Sequence, residues 1–545
     1  MVVEIEANEP GDNIIDNDYE QERYNCNIHR TSSSFYEQLS HTRSLRRDLT
    51  VRQINMIAIA GTIGTGLFLG TGNVLASSGP FYMLISYLMT GGIVFLTMVA
   101  LGEMSAFMPV SGSFAVYAKR FVSEGFGFTI NMNYWLNDAV SVAGDLTALQ
   151  IVVEYWHSNY AWLASLSVWV LVLVLNLAHI SFYGESEYWL SLVKVISIIL
   201  FFIVSVVTNL GYNDEHEFLG FRYWFYKEAP FVNGFKGFVL AFISAAFAYG
   251  GTESISLTAG EQKNPVRTMP TVVKAVFWRV VTFYVISVFL IGINIPYDYP
   301  KLSISEVTTS PFTIIFLLVS SKASGFMNAV VFTSAISACN HALYSGGRIA
   351  YSMSIEGYIP SHFAYINSQG IPYVLVLTTW AIGGLCFAST FVGSGNLWIW
   401  IQSLVAVSNQ YAWLAISLTG LRFRRGLERQ RKIDYLSFRN WTYPTGPYGV
   451  LVFVCIIIFA QGWPSFAPWD SVLFLKNYIG IFLIVLTFVI WHLYTRKSFQ
   501  FIKYEDMDFE TDRYIENETE ILENLRESRL GRWERFRHHV RVNLL

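Results

Sequence analysis

Charge is scarce in this sequence. Asp, Glu, Lys and Arg make up 14% of its 545 residues, and hydrophobic residues make up 53%. Soluble domains carry about 25% charged residues. From Gln53 to Gly102 there is no charged residue at all. That stretch is too long for one buried core helix and long enough for two membrane spans of about 20 residues each. Cysteine is nearly absent. Cys26 lies in a polar tail and Cys339, Cys386 and Cys455 lie in apolar runs, which leaves no disulfide framework and no metal-ligand spacing. No nucleic-acid patch, nucleophile–base set or phosphate loop occurs, so no nucleic-acid partner, enzyme activity, metal or cofactor is expected. A signal peptide is not expected either, because the chain opens acidic (Glu4, Glu6, Glu9) and its first apolar run starts after residue 50.

What remains is a chain of apolar segments. Twelve candidate spans cover roughly 54–76, 81–103, 127–155, 161–182, 188–210, 237–259, 276–297, 326–353, 373–394, 398–420, 447–468 and 472–494. The expectation is an all-α membrane protein. Residues 1–52 form an N-terminal tail, 53–495 the membrane domain, and 496–545 a C-terminal tail. Within the last, Thr511 to Leu545 sets Trp533 and Phe536 among Arg526, Arg529, Arg532, Arg535, Arg537 and Arg541 and can form an amphipathic helix on an anionic membrane surface; a solvated charged tail is the alternative. Basic residues set the orientation. They sit in the loops after span 2 (Lys119, Arg120), span 6 (Lys263, Arg267, Lys274) and span 10 (Arg422 to Arg439), and are missing after spans 1, 3 and 9. Both termini are therefore expected in the cytoplasm.

Two spans are broken at mid-length. Span 1 carries GTIGTG, Gly61 to Gly66, and span 6 carries YGGTES, Tyr249 to Ser254. Lipid cannot hydrate the backbone groups such breaks release, so a break persists where it lines a cavity or a ligand. One in each half of a transporter points to a substrate site at the bilayer midplane. Loose glycine-rich helix packing is the alternative. Ionisable residues at membrane depth are functional candidates by default. They are Asp145 and Asp138 on span 3, i and i+7 on one face, Glu253 beside the second break, and Lys194 on span 5 near the cytoplasmic side, where a snorkelling lysine is the alternative. Asp138 reads as a vestibule residue. Ser334, Ser337 and Asn340 of span 8 share a broad helix side, and Ser403 and Asn409 of span 10 are candidate specificity residues, with polar helix packing as the alternative.

These residues carry a resemblance. Asn55–Gly72, GEMSAFMPVSGSF (102–114), FYGESEYWLSLVKV (182–195), GFRYW (220–224), GGTESISLTAGEQKNP (250–265), the Ser334–Ser354 stretch and QGWPSFAP near Gln461 resemble fungal amino-acid permeases of the amino acid–polyamine–organocation superfamily, nearest to the basic amino-acid permeases. The match is collinear over about residues 45–510. It implies a LeuT-type five-plus-five inverted repeat with two further helices, broken helices 1 and 6, and proton-coupled import of an amino acid without chemical change. Amides at the first break (Thr62, Ile63, Gly64, Thr65, Gly66) would face the substrate carboxylate. Carbonyls at Tyr249, Gly250, Gly251 and Thr252 would face its ammonium. Asp145, at a family-acidic position, would face a cationic side chain or a proton, with a polar residue hydrogen-bonded within the bundle as the alternative. Glu253 and Lys194 would serve proton coupling, with a helix cap as the alternative for Glu253. The resemblance also implies a plasma-membrane location, with a vacuolar or endomembrane one as the alternative, and ubiquitin-ligase adaptors as partners, although residues 1–52 contain no lysine and the C-terminal tail only Lys497 and Lys503. A broad-range or neutral permease and a non-transporting amino-acid sensor are the competing readings; the short tails favour transport.

Overall fold

The computed structural model describes residues 51–514 apart from 111, 214–215, 262–264, 301, 303–308, 368–369 and 467. The expected amphipathic segment, 511–545, lies outside the described residues from 515 onward, as do the first fifty residues and Lys263. Among the described residues the architecture is helical, and the one β-type pairing is an isolated bridge between Phe466 and Trp469. Nine helical stretches among them are long and apolar enough to cross a membrane. The first, Met56–Phe107, holds the expected spans 1 and 2 together. Gly79, at φ +78°, and Pro80 separate the two. The remaining expected spans each coincide with a helix. Span 4 is the shorter Ala161–Leu177, and span 8 is the long but polar Ser321–Ile355.

Polarity explains where the boundaries moved. Span 5 begins at Ile180 rather than near 188, because Glu187, Ser191 and Lys194 face the bundle interior and are fully buried. Hydropathy alone discounts such a face. Lys194 therefore lies near the middle of its helix, Ile180–Asn209, rather than near its start. Span 7 likewise begins early, at Pro265, and passes through a π-turn at Val280–Val285 before Ile286–Asn294.

Span 3, Glu124–Glu154, is the central post. It packs along span 8 and along span 10, Ser394–Arg429, while span 2 packs on span 6 and span 1 on span 5. Its buried face carries Asn137, Asp138 and Asp145 among alanines and glycines, which is what brings polar groups to the middle of an apolar bundle. At the end of the bundle where span 3 begins, the short helix Ser113–Phe121 follows span 2. The segment after span 12 (Ser471–Thr495) turns at Arg496 and runs back beneath it. The Ile502 amide bonds the Val122 carbonyl at 3.0 Å, and the fully buried Phe509 packs on Phe121 and Phe423.

Candidate functional site

Span 1 is helical from Val51 to Thr62, bends at 63–64 and resumes through a π-turn at Gly66–Gly70. Span 6 is helical from Gly234 to Tyr249, opens at 250–252 and continues as a 3-10 helix, Glu253–Glu261. The two openings touch. A Cβ on Gly66 would lie 2.6 Å from the Ala248 Cα, and a Cβ on Gly251 would lie 2.5 Å from the Gly61 carbonyl oxygen. Gly251 also has φ +83°, a conformation that side chains disfavour. Tyr284 of span 7 joins the breaks from behind: its hydroxyl donates to the Thr62 carbonyl and, at 3.0 Å, to the Ala248 carbonyl.

Between the breaks and spans 3, 8 and 10 is a cavity of about 70 Å³. Gly61, Thr62, Gly64, Thr65 and Gly66 line it from span 1, and Phe247, Ala248, Gly250, Gly251 and Ser254 from span 6. Asn137, Asp138, Ser141 and Asp145 line it from span 3, Ala338, His341 and Ala342 from span 8, and Val405 and Asn409 from span 10. The restarted half of span 1 presents a helix beginning, which favours an anion, and the first half of span 6 presents a helix end, which favours a cation. One wall thus suits a carboxylate and the facing wall an ammonium.

Side chains complete the wall. Asp145 Oδ1 accepts from the Thr65 hydroxyl at 2.7 Å; its other oxygen has no hydrogen-bond partner among the described residues. Asp138 Oδ2 accepts from Ser345 at 2.5 Å. Asn137 donates to Asn409 Oδ1 at 3.1 Å, and Asn409 donates to the Ala246 carbonyl at 3.2 Å, while Asn137 Oδ1 is buried with no hydrogen-bond partner among the described residues. His341 Nε2 lies 2.8 Å from the Ser254 hydroxyl, which itself donates to the Gly251 carbonyl at 2.6 Å.

Behind the cavity is a second polar layer. The Lys194 ammonium is fully buried and donates to the Ile63 carbonyl at 2.7 Å and the Ala60 carbonyl at 3.2 Å. These are acceptors that the break in span 1 releases, so Lys194 does not snorkel. Seven residues earlier on the same face, Glu187 accepts from Ser337 at 2.6 Å and from Asn340 at 2.5 Å, and Asn176 donates to Asn340 Oδ1 at 2.8 Å. Glu253 is fully buried and accepts from Tyr134 at 2.9 Å and from Trp413 at 3.0 Å.

The structure brings Thr62, Gly64, Thr65, Gly66, Asp145, Gly250 and Gly251 to the cavity wall. Ile63 contributes a carbonyl to Lys194 and buries its side chain. Tyr249 points away, donating to the Tyr87 carbonyl at 3.0 Å, and Thr252 bonds the Tyr249 carbonyl at 2.8 Å. Lys194 and Glu253 stand behind the wall. Ser403 is off it: its hydroxyl bonds the Ile399 carbonyl of its own helix at 3.1 Å, and the helical period puts Val405 and Asn409 on the cavity instead. Asp138, read as a vestibule residue, lines the same cavity as Asp145. The reading of the sequence missed Asn137, Ser141, Ser254, His341 and Glu187. Asn137, Ser141 and Asp145 recur at i, i+4 and i+8, and Glu187 precedes Lys194 by seven residues; both spacings were there to be read.

A family model described as amino acid permease matches residues 53–504. A probable amino-acid permease of Schizosaccharomyces pombe is 41% identical over 493 residues, 87% of this chain and 97% of that protein. The lysine-specific permease of Escherichia coli is 37% identical over 479 residues, 85% of this chain and 96% of its own. The lysine-specific permease of Saccharomyces cerevisiae is 36% identical over 526 residues, 93% of this chain and 85% of its own. A helical bundle with two touching breaks around a polar cavity is the architecture of a multi-pass transporter, and the chain belongs to the amino acid permease family. It is a transporter of amino acids rather than an enzyme.

Proposed function

We propose that this chain imports basic amino acids, lysine and arginine, across the plasma membrane, with protons as the coupling ion and both termini in the cytoplasm. The observation that carries the substrate class is Asp145. Its carboxylate is 7% exposed, sits on the cavity wall, and has a single hydroxyl partner, which leaves one oxygen for a cationic side chain. Burying a substrate's cation without such a partner costs several kcal/mol. The lysine-specific names of two relatives agree with this reading. The proton reading rests on Lys194, whose amine lies on the carbonyls of the first break where a coupling cation would sit, and on Glu253 beside the second break. The helix ends at the two breaks are proposed to hold the substrate's carboxylate and ammonium.

The test is uptake of labelled lysine, arginine and neutral amino acids by cells expressing the chain, at a series of external pH values. Preferential uptake of lysine and arginine that rises as the medium is acidified supports the proposal. Equal uptake of neutral amino acids identifies a broad-range permease. Binding without uptake identifies a sensor.

A further inference from the structure

At the end of the bundle where span 3 begins and span 12 ends, two cavities of opposite character adjoin. The first, about 850 Å³, lies between the start of span 3 and the residues following span 12, and is bordered by four cations, Lys119, Arg496, Lys497 and Lys503, against Glu124 and Asp506. Lys119 is paired with Glu356 at 2.6 Å and Lys497 with Glu124 at 2.8 Å. Arg496 and Lys503 are exposed and form no ion pair among the described residues. The second cavity, about 310 Å³, is an apolar groove between spans 10 and 12, walled by Tyr411, Leu418, Ile484, Val485 and Phe488. Phe499 and Phe501 belong to both. They are 43% and 53% exposed, and Val485 is 54% exposed, so the groove opens outward along the lipid-facing side of the bundle.

We infer that this pair of cavities is a binding site for one anionic glycerophospholipid of the adjacent leaflet, with its phosphate headgroup between Arg496 and Lys503 and an acyl chain in the groove beside Val485. Neither feature alone points so far. Arg496 and Lys503, facing the single carboxylate of Asp506 left unpaired among the described residues, attract any phosphate, and an apolar groove accepts any lipid tail. Their junction at two exposed phenylalanines, at the level where the last span leaves the membrane, fits an amphiphile with a negative head. A free phosphate would leave the groove unused. The bound lipid would join spans 3, 10 and 12 to the segment that runs back to Phe509.

The experiment uses the purified full chain in phosphatidylcholine nanodiscs with an increasing share of phosphatidylserine, and native mass spectrometry to count the lipids that stay bound. The wild type should retain phosphatidylserine over phosphatidylcholine. Arg496→Gln with Lys503→Gln should weaken that retention by on the order of 5-fold for each cation, and Val485→Trp, which fills the groove, should weaken it with both cations present. Soluble inorganic phosphate should not displace the lipid. Arg429→Gln with Arg431→Gln removes two exposed charges elsewhere on the same end and should change nothing. No preference in the wild type overturns the site. So does equal loss in the Arg429/Arg431 control, which would mean diffuse surface charge, and so does displacement by phosphate, which would mean a simple anion site. Should the double variant misfold, Lys503→Gln alone reads the cation effect, and the wild-type preference stands as an independent check.

Discussion

Replacing Asp145 with Asn removes one negative charge and little else. The side-chain amide keeps the shape, and its carbonyl oxygen still accepts from Thr65, which is 2.7 Å from Asp145 Oδ1 in the native protein. A substrate cation about 4 Å from the carboxylate would gain roughly 4 kcal/mol at an effective dielectric constant of about 20. Part of that gain offsets the desolvation of both charges. A net loss of about 1.4–2.8 kcal/mol is the reasonable remainder, equivalent to a rise of about 10- to 100-fold in KM for lysine or arginine. Neutral amino acids lack the charge and should suffer much less. The assay is initial-rate uptake of labelled lysine, arginine and a neutral amino acid, with surface expression matched to the wild type. Equal loss for charged and neutral substrates would make Asp145 a proton or folding residue, and no loss for either would remove the basis for the basic-substrate proposal.

Glu253→Gln keeps both hydrogen-bonded neighbours, Tyr134 and Trp413, and removes the titratable charge; uptake should stop or lose its dependence on external pH while the protein still reaches its membrane, and unchanged pH-driven accumulation would contradict the proton role. Replacing external sodium with choline should leave uptake intact. Gly66→Ala and Gly251→Ala each put a Cβ within 2.6 Å of rigid backbone, and should cut uptake more than about tenfold, since backbone cannot give way as a side-chain tip can. Gly64→Ala, 3.2 Å from the Ala338 Cβ, should keep most of it, and the reverse order would refute the touching-break geometry. Asn440, in the sequon Asn440-Trp441-Thr442, should carry no glycan, because the proposed orientation puts its loop in the cytoplasm and its side chain is buried; a glycan mapped there would overturn the orientation.

Apolar runs and the two glycine breaks were legible because lipid imposes a single demand on every span: satisfy the backbone or line a cavity. That demand is local in sequence, so Gly64 to Gly66 and Gly250 to Gly251 could be read without knowing what they touch. Asp145 was legible for the same reason, as a charge where charge is costly. The side chains that finish the wall were not. Ser141 and Ser254 are ordinary small polar residues until the bundle closes, and His341 becomes visible only because Gly61 leaves room for its ring, with a Cβ there lying 2.5 Å from Nε2. Ser403 was misplaced because two residues along a helix separate a cavity face from a packed one, a distinction that a polar side chain alone does not make. Lys194 was legible as a residue but not in depth, since Glu187 and Ser191 lower the hydropathy of the turns ahead of it and hide where span 5 begins.

The most direct test of the central claim is lysine accumulation in proteoliposomes holding the purified chain and a pH gradient as the only driving force. With the external face acidic and no sodium present, labelled lysine should accumulate above its external concentration, arginine should compete better than neutral amino acids, and a protonophore should abolish the accumulation. Accumulation that ignores the gradient, or neutral amino acids that compete as well as arginine, would contradict the account.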